Sequence, residues 1–294
     1  MRPGPASRSA ASRCRGSWWR SNAPLFWRPS PIAPTLKEIL ASDRTNLGTW
    51  SQIAAPEMID LVGLNGFDFT IIDCEHGFFG METAENLSRA ADAVGIAAAV
   101  RVAANEPTMI MKALDAGIRH VVVPNLATAE EAARAVAATR FGPQGLRGAC
   151  PCCRSGGHFI RNWKDYVTEE EARVGAIGLV ETREGYENFA EICRNREMTA
   201  FMFGPFDLSV SLGLEGNWRH DRVQSAVREM VERALESGHR VMMPVFSPDR
   251  QECRQMVDDW VSRGVRTFVI GSDKILVASS FSAWTEALDD SRTS

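Results

Sequence analysis

Lysine is scarce in this chain of 294 residues: Lys37, Lys112, Lys164 and Lys274 are all it has. Chemistry in which a desolvated amine attacks a carbonyl therefore has few candidate residues. Long apolar runs are missing as well. Stretches such as Ala97–Val100 and His120–Pro124 fall far short of the roughly 20 residues that a membrane span requires, so a soluble protein is expected. There is no basic excess, because the net charge is −4 and the sequence pI about 5.8. Nothing here neutralises a phosphate backbone, and nucleic acid is a poor candidate partner. Paired cysteine spacing is absent too. Cys150, Cys152 and Cys153, with His158 nearby, lack the Cys-x-x-Cys pair that marks a zinc site, so free thiols on a small-residue loop are the favoured reading. An odd total of seven cysteines in a chain large enough to need no staples points to a reducing, cytoplasmic compartment.

What the chain does have is a two-part organisation. Residues 1–35 carry Arg2, Arg8, Arg13, Arg15, Arg20 and Arg28, many prolines and no acidic residue. Such a leader cannot build a core, and it reads as a disordered extension or a misplaced start, with a transit peptide the less favoured alternative. Hydrophobic periodicity begins near Leu36, so residues 36–294 form the expected folded domain.

Within that domain, short apolar runs alternate with amphipathic helical stretches. The runs are Leu47–Ser51, Phe69–Asp73, Ala97–Val102, His120–Pro124, Ala176–Glu181, Ala200–Gly204, Val241–Val245 and Thr267–Gly271. Most are continuously apolar, as strands buried on both faces are. Helical patterns cover Thr83–Val94, Thr108–Ala116, Ala129–Thr139, Arg183–Cys193, Asp221–Ser237 and Pro248–Arg263, with Gly117, Gly238 and Gly264 placed as left-handed caps. Eight such units over about 250 residues predict an α/β protein, a (β/α)8 TIM barrel. An open doubly wound sheet is less suitable, since no Gly-rich phosphate fingerprint follows the first strand.

In a barrel the chemistry sits at the carboxyl ends of the strands. Glu181 and Asp207 fall there, and two carboxylates suit a hard cation that keeps other positions for water and substrate. The competing reading pairs Glu181 with Arg183 or another arginine and makes Asp207 a helix cap. Arg101 interrupts an apolar strand, so it needs an anionic partner, either substrate oxygen or an ion pair with Asp73 or Glu75. His76 follows a strand end, and Asp73 three residues earlier could hold its tautomer for proton exchange. Glu75 is read as an acceptor for metal-bound water or neighbouring backbone. Among the lysines only Lys274 lies near this rim, and a solvated helix start explains it as well.

The stretches Ile71–His76, Val100–Val102, Phe141–Gly148, Glu181–Glu184 and Gly204–Ser209 together resemble those of the HpcH/HpaI aldolases, in order, from about Leu47 to Ala287. The resemblance implies a metal-dependent aldolase, a carbon–carbon lyase that reversibly cleaves a 4-hydroxy-2-oxo acid into pyruvate, or a related 2-oxo acid, and an aldehyde. It implies Mg²⁺, Mn²⁺ or Co²⁺ on Glu181 and Asp207, Arg101 as the pyruvate-binding arginine, and Asp73 with His76 as a catalytic dyad. Pro205 and Phe206 are expected on the substrate side, and Asp115 matches an acidic residue that family members lend to a neighbouring site. A homo-oligomer, hexameric and with its last helix swapped between neighbours, is implied as well. The stretch Ala149–His158 departs from the family pattern in a region expected to border the aldehyde side. Related metal-enolate lyases or decarboxylases, citryl-thioester lyases and a non-catalytic 2-oxo acid-binding barrel remain the alternatives.

Overall fold

The structure is a computed structural model that describes residues 34–289; the leader expected over residues 1–35 falls outside it except for Pro34 and Thr35. Eight strands pair in parallel and in sequence order to close a barrel: β1 (Asn46–Ser51), β2 (Phe69–Asp73), β3 (Ala97–Arg101), β4 (His120–Val123), β5 (Gly175–Val180), β6 (Ala200–Phe203), β7 (Val241–Val245) and β8 (Thr267–Ser272). The expected (β/α)8 barrel is what forms. Each run begins or ends within a residue or so of its expected bounds, because apolar side chains on both faces leave a strand no alternative to full burial.

The period of two divides the strand residues between two cores. Phe69, Ile71, Val122, Leu179, Met202, Met242 and Val269 fill the barrel interior. Ile72, Val100, Val121, Val180, Phe201 and Phe268 point outward and meet the helical layer. Helix α1 (Leu36–Ala41) plugs the amino end, burying Leu36, Ile39 and Leu40 in the interior core. It starts at Thr35, which forms a capping box with Glu38.

Around the barrel run α2 (Pro56–Leu64), α3 (Met81–Val94), α4 (Pro107–Asp115), α5 (Ala129–Thr139), α6 (Trp163–Arg173), α7 (Arg183–Glu187), α8 (Phe189–Ile192), α9 (Pro205–Ser211), α10 (Asp221–Glu236), α11 (Arg250–Ser262) and α12 (Asp273–Ala287). Gly117, Gly238 and Gly264 adopt positive φ after α4, α10 and α11, as expected of caps. One helical expectation needs correction. Arg183–Cys193 is two short helices, because Asn188 takes a non-helical ψ of 0° and donates from its side chain to the Ala127 carbonyl at 3.0 Å.

The barrel seam is closed by more than strand pairing. Asp273, 1% exposed at the start of α12, accepts hydrogen bonds from the backbone N–H groups of Gln52, Ile53 and Lys274 at 2.7–3.0 Å. The exit of the first strand is thereby tied to the entry of the last helix.

Candidate active site

A cavity of about 330 Å³ opens at the carboxyl ends of the strands, and His76, Arg101, Glu181, Pro205, Phe206 and Asp207 all line it. Six residues expected from sequence thus meet at one place. Among the described residues no group of three or more His, Cys, Asp or Glu side chains is arranged to hold a metal ion.

Glu181 follows β5 and is 4% exposed. Its Oε1 accepts the backbone N–H of Asn125 at 3.0 Å, and it makes no ion pair with a described residue. Arg183, the partner considered for it, is occupied by Glu187 at 2.7 Å on the exposed face of α7. Burial therefore pushes the Glu181 carboxyl up to about 7, and the nearby Asp207 carboxylate adds to the rise while the Asn125 amide and Arg101 oppose it. Gly204 shows how closely β6 approaches: a Cβ there would meet Glu181 Oε2 at 2.6 Å. Pro205 then begins α9, which puts Asp207 in the first turn of that helix, exposed to the cavity. The capping alternative for Asp207 does not hold, since Gly204 is the N-cap residue and no side chain caps this helix.

Arg101 ends β3 beside Asp73, its neighbour in register at the end of β2. Nε and Nη2 of the guanidinium donate to the two oxygens of Asp73 at 2.9 and 2.6 Å. Nη1 lies 3.0 Å from Glu75 Oε2, an ion pair outside hydrogen-bond geometry. The Trp50 ring stacks on the guanidinium with its centroid 4.4 Å away, and the Trp50 Nε1 is buried without a described acceptor. Burial opposes the charged forms of both partners, yet their mutual hydrogen bonds outweigh it: the Asp73 carboxyl is held below its ordinary value and the Arg101 guanidinium above its own.

The expected Asp73–imidazole bond is not formed. Asp73 spends its oxygens on Arg101, on Gln52 Nε2 at 2.8 Å, and on the backbone N–H groups of Glu75 and His76 at 3.1 and 3.2 Å. It shapes the turn that carries His76, whose imidazole stands exposed at the cavity with no hydrogen bond to a described residue.

Asp115 lies elsewhere. It ends α4 and pairs with the fully buried side chain of Arg147 at 2.9 Å, and it does not line the cavity. Arg147 also pairs with Glu170 at 3.1 Å and stacks on Phe141. The stretch Ala149–His158 does not border this chain's cavity either. Arg154 pins it to the backs of α3 and α4 through Ser88, Asp92 and the Ala116 carbonyl. Within that stretch the Cys153 thiol contacts the Cys150 carbonyl at 3.3 Å and Ser155 Oγ at 3.1 Å.

Sequence reasoning missed Gln52 and Asn125. Asn125 has φ 53°, a conformation asparagine tolerates, and its position after Pro124 at a strand end was the available signal. Gln52 carries no such mark.

Comparison with known proteins agrees with this arrangement. A curated relative, 5-keto-4-deoxy-D-glucarate aldolase of Salmonella paratyphi C (strain RKS4594), is 31% identical over 254 residues, covering 86% of this chain and 94% of the relative. The solved citrate synthase SbnG is 28% identical with a TM-score of 0.79, over 88% of this chain and 99% of that one. A structure of an HpcH/HpaI aldolase/citrate lyase family protein from Burkholderia cenocepacia J2315 gives 28% identity and a TM-score of 0.78, over 87% and 98%. The sequence model of the family described as HpcH/HpaI aldolase/citrate lyase matches residues 46–273, from the first residue of β1 to the aspartate that closes the seam; the chain belongs to that family and is a carbon–carbon lyase.

Proposed function

We propose that the chain is a divalent-metal-dependent aldolase that reversibly cleaves a 4-hydroxy-2-oxo acid into pyruvate, or a related 2-oxo acid, and an aldehyde. The observation that carries this is Glu181: a buried carboxylate without a cation, beside a second carboxylate, in a cavity that also holds Arg101. A buried carboxylate facing a second one is costly unless a cation joins them, so the donor set fits Mg²⁺, Mn²⁺ or Co²⁺ held by Glu181 and Asp207. Such an ion supplies Lewis acidity to the oxygens of the 2-oxo acid.

The remaining roles belong to the chain. Arg101 stabilises negative charge on the keto oxygen as the carbon–carbon bond breaks. Asp73 serves by holding Arg101 and the His76 turn, and His76 exchanges the proton of the substrate hydroxyl, directly or through water. Pro205 and Phe206 form the wall against which the substrate lies. Asp115 is assigned to the active site of a neighbouring copy, with Arg147 fixing its orientation. Lys274 is exposed and opens α12, so a Schiff base has little support.

A homo-oligomer, hexameric as the family resemblance implies, is supported by α12, where Phe281 and Trp284 are each 68% exposed. A cytoplasmic location is supported by the six free cysteines among the described residues and by the absence there of a helix long and apolar enough to cross a membrane. The leader is assigned as an appendage. A chain beginning at Pro34 retains the Thr35 capping box and should keep full activity; loss of folding would show the leader to be structural.

The test of the whole reading is pyruvate in D₂O. An enolising enzyme exchanges the methyl protons in a manner abolished by chelator and restored by Mg²⁺, Mn²⁺ or Co²⁺, while a binding barrel leaves the methyl signal intact. The likeness to a citrate synthase favours one further arm, assay in the direction of bond formation.

A further inference from the structure

Much of the cavity's lining is of one character. Trp218, Phe246, Met256, Trp260, Met243 and Val227 line it, contributed by α10, α11, β7 and the loops beside them. Three polar side chains also line the cavity, and each engages the protein through one hydrogen-bonding group. Gln224 donates from Nε2 to the Trp218 carbonyl at 2.7 Å, Gln52 donates to Asp73, and Ser272 Oγ caps α12 by accepting the Ile275 N–H.

Charge in the cavity is equally one-sided. Arg101 is the only lysine or arginine among the lining residues, and Asp73 and Glu75 already compensate it. Two further cations, each next in sequence to a residue near the cavity, are engaged elsewhere. Arg219 is held by Glu252 at 2.6 Å and stacks on the Trp218 ring, and Lys274 extends over Phe78 at the surface. A second carboxylate on the electrophile would therefore lie among apolar walls, with no lysine or arginine of the described residues besides Arg101 lining them. A polyhydroxylated chain would bury hydroxyls against tryptophan and methionine. An apolar chain meets no such penalty, and each methylene it buries favours binding about fourfold.

We propose that the aldehyde partner of this enzyme is an uncharged, apolar one, an aryl or alkyl aldehyde, seated against Trp218, Phe246 and Met256. The inference rests on the aldolase reading and names the substrate class of that same site. In the bond-forming direction, C3 of pyruvate loses a proton and attacks the aldehyde carbonyl carbon. The carbonyl π electrons pass to the aldehyde oxygen, which takes up a proton to become the 4-hydroxyl, so nothing is oxidised or reduced.

The experiment uses the full chain loaded with Mn²⁺, pyruvate, and a panel of hexanal, phenylacetaldehyde, succinic semialdehyde and glycolaldehyde, with deuterium exchange into pyruvate followed in parallel. The expected result is a kcat/KM for hexanal or phenylacetaldehyde at least tenfold above that for succinic semialdehyde and glycolaldehyde. Phe246→Arg, which places a cation where the pocket lacks one, should shift the ratio toward succinic semialdehyde by tenfold or more. Trp218→Ala should lower the ratio by a similar factor. If exchange is intact and the charged or hydroxylated aldehydes are preferred in the wild-type chain, the apolar assignment is overturned while the aldolase reading stands. If exchange itself is absent, both fall together.

Discussion

Arg101 and Asp73 occupy adjacent positions in the β2–β3 register and are joined by two hydrogen bonds of 2.9 and 2.6 Å, with neither residue more than 7% exposed. This pair, rather than an aspartate–histidine bond, organises the floor of the cavity. Asp73→Asn should therefore destabilise the fold by roughly 3–5 kcal/mol, since it leaves a buried guanidinium with only Glu75 as counter-ion. Urea unfolding measures the loss. The same variant should raise the KM for pyruvate, because Arg101 is then free to turn away from the substrate. A variant as stable as wild type would show the pair to be dispensable.

Metal loading should be visible without any turnover. Mn²⁺ at a hundred times its Kd stabilises by about 2.7 kcal/mol, which corresponds to a rise in Tm of roughly 5–10 °C for a domain of this size. Glu181→Gln should abolish that rise, and Asp207→Asn should reduce it, in a thermal-shift titration. Borohydride should trap no pyruvate on Lys274 in the wild-type chain.

Stability should fall on the acid side for a reason seated far from the cavity. His120 opens β4 at the amino end of the barrel, is 1% exposed and has no partner for Nε2. Burial, with Lys37 and Arg119 adding to it, pushes its pKa down to about 3. The folded state thus binds the proton more weakly than the unfolded state, whose pKa is about 6.5. The contribution is fully present above pH 6.5 and is lost as pH falls toward 3, by about 1.4 kcal/mol per pH unit. His120→Gln should flatten the stability profile over that window. Equilibrium unfolding at pH 7, 6, 5 and 4 checks it, and a parallel decline in the variant would assign the acid sensitivity to other groups.

Asp115 provides the test of assembly. In a single chain it answers to Arg147 alone, with no part in its own cavity. Asp115→Ala should give a folded oligomer of depressed turnover, and His76→Ala an inactive one. Co-assembled, the two should regain part of the activity, because some interfaces then pair an intact Asp115 with an intact His76. Mixed oligomers that form and stay inactive would remove Asp115 from the neighbouring site.

The strands were legible in the sequence because full burial on both faces leaves continuous apolar runs, and the cavity residues were legible because those runs end in charged or polar residues. Helices α1, α2, α6, α9 and α12 were not marked out as helical stretches. α6 is largely polar, α9 is a single short turn pair opened by Pro205, and α12 is apolar around much of its circumference, so none shows the single stripe that marks a helix packed on a barrel. The Arg101–Asp73 pair was only one of two possibilities, since register between strands decides it and a linear sequence carries no register. Asn125 was hidden for another reason. It reaches Glu181 through a backbone N–H, which every residue but proline possesses.

The Asp273 stitch has a consequence for how the site comes into being during synthesis. Gln52 and Asp273 stand 221 residues apart in the chain, yet Gln52 is oriented toward Asp73 from a backbone that Asp273 holds. At a ribosomal rate of about 5–20 residues per second, the first strand emerges roughly 10–40 s before the residue that fixes its exit. Through that interval β1 also lacks its partner β8, and the early βα units wait with an open edge. The Gln52 bond to Asp73, one support of the Arg101 floor, is therefore set only once residue 273 has been made and its carboxylate holds the Gln52 backbone.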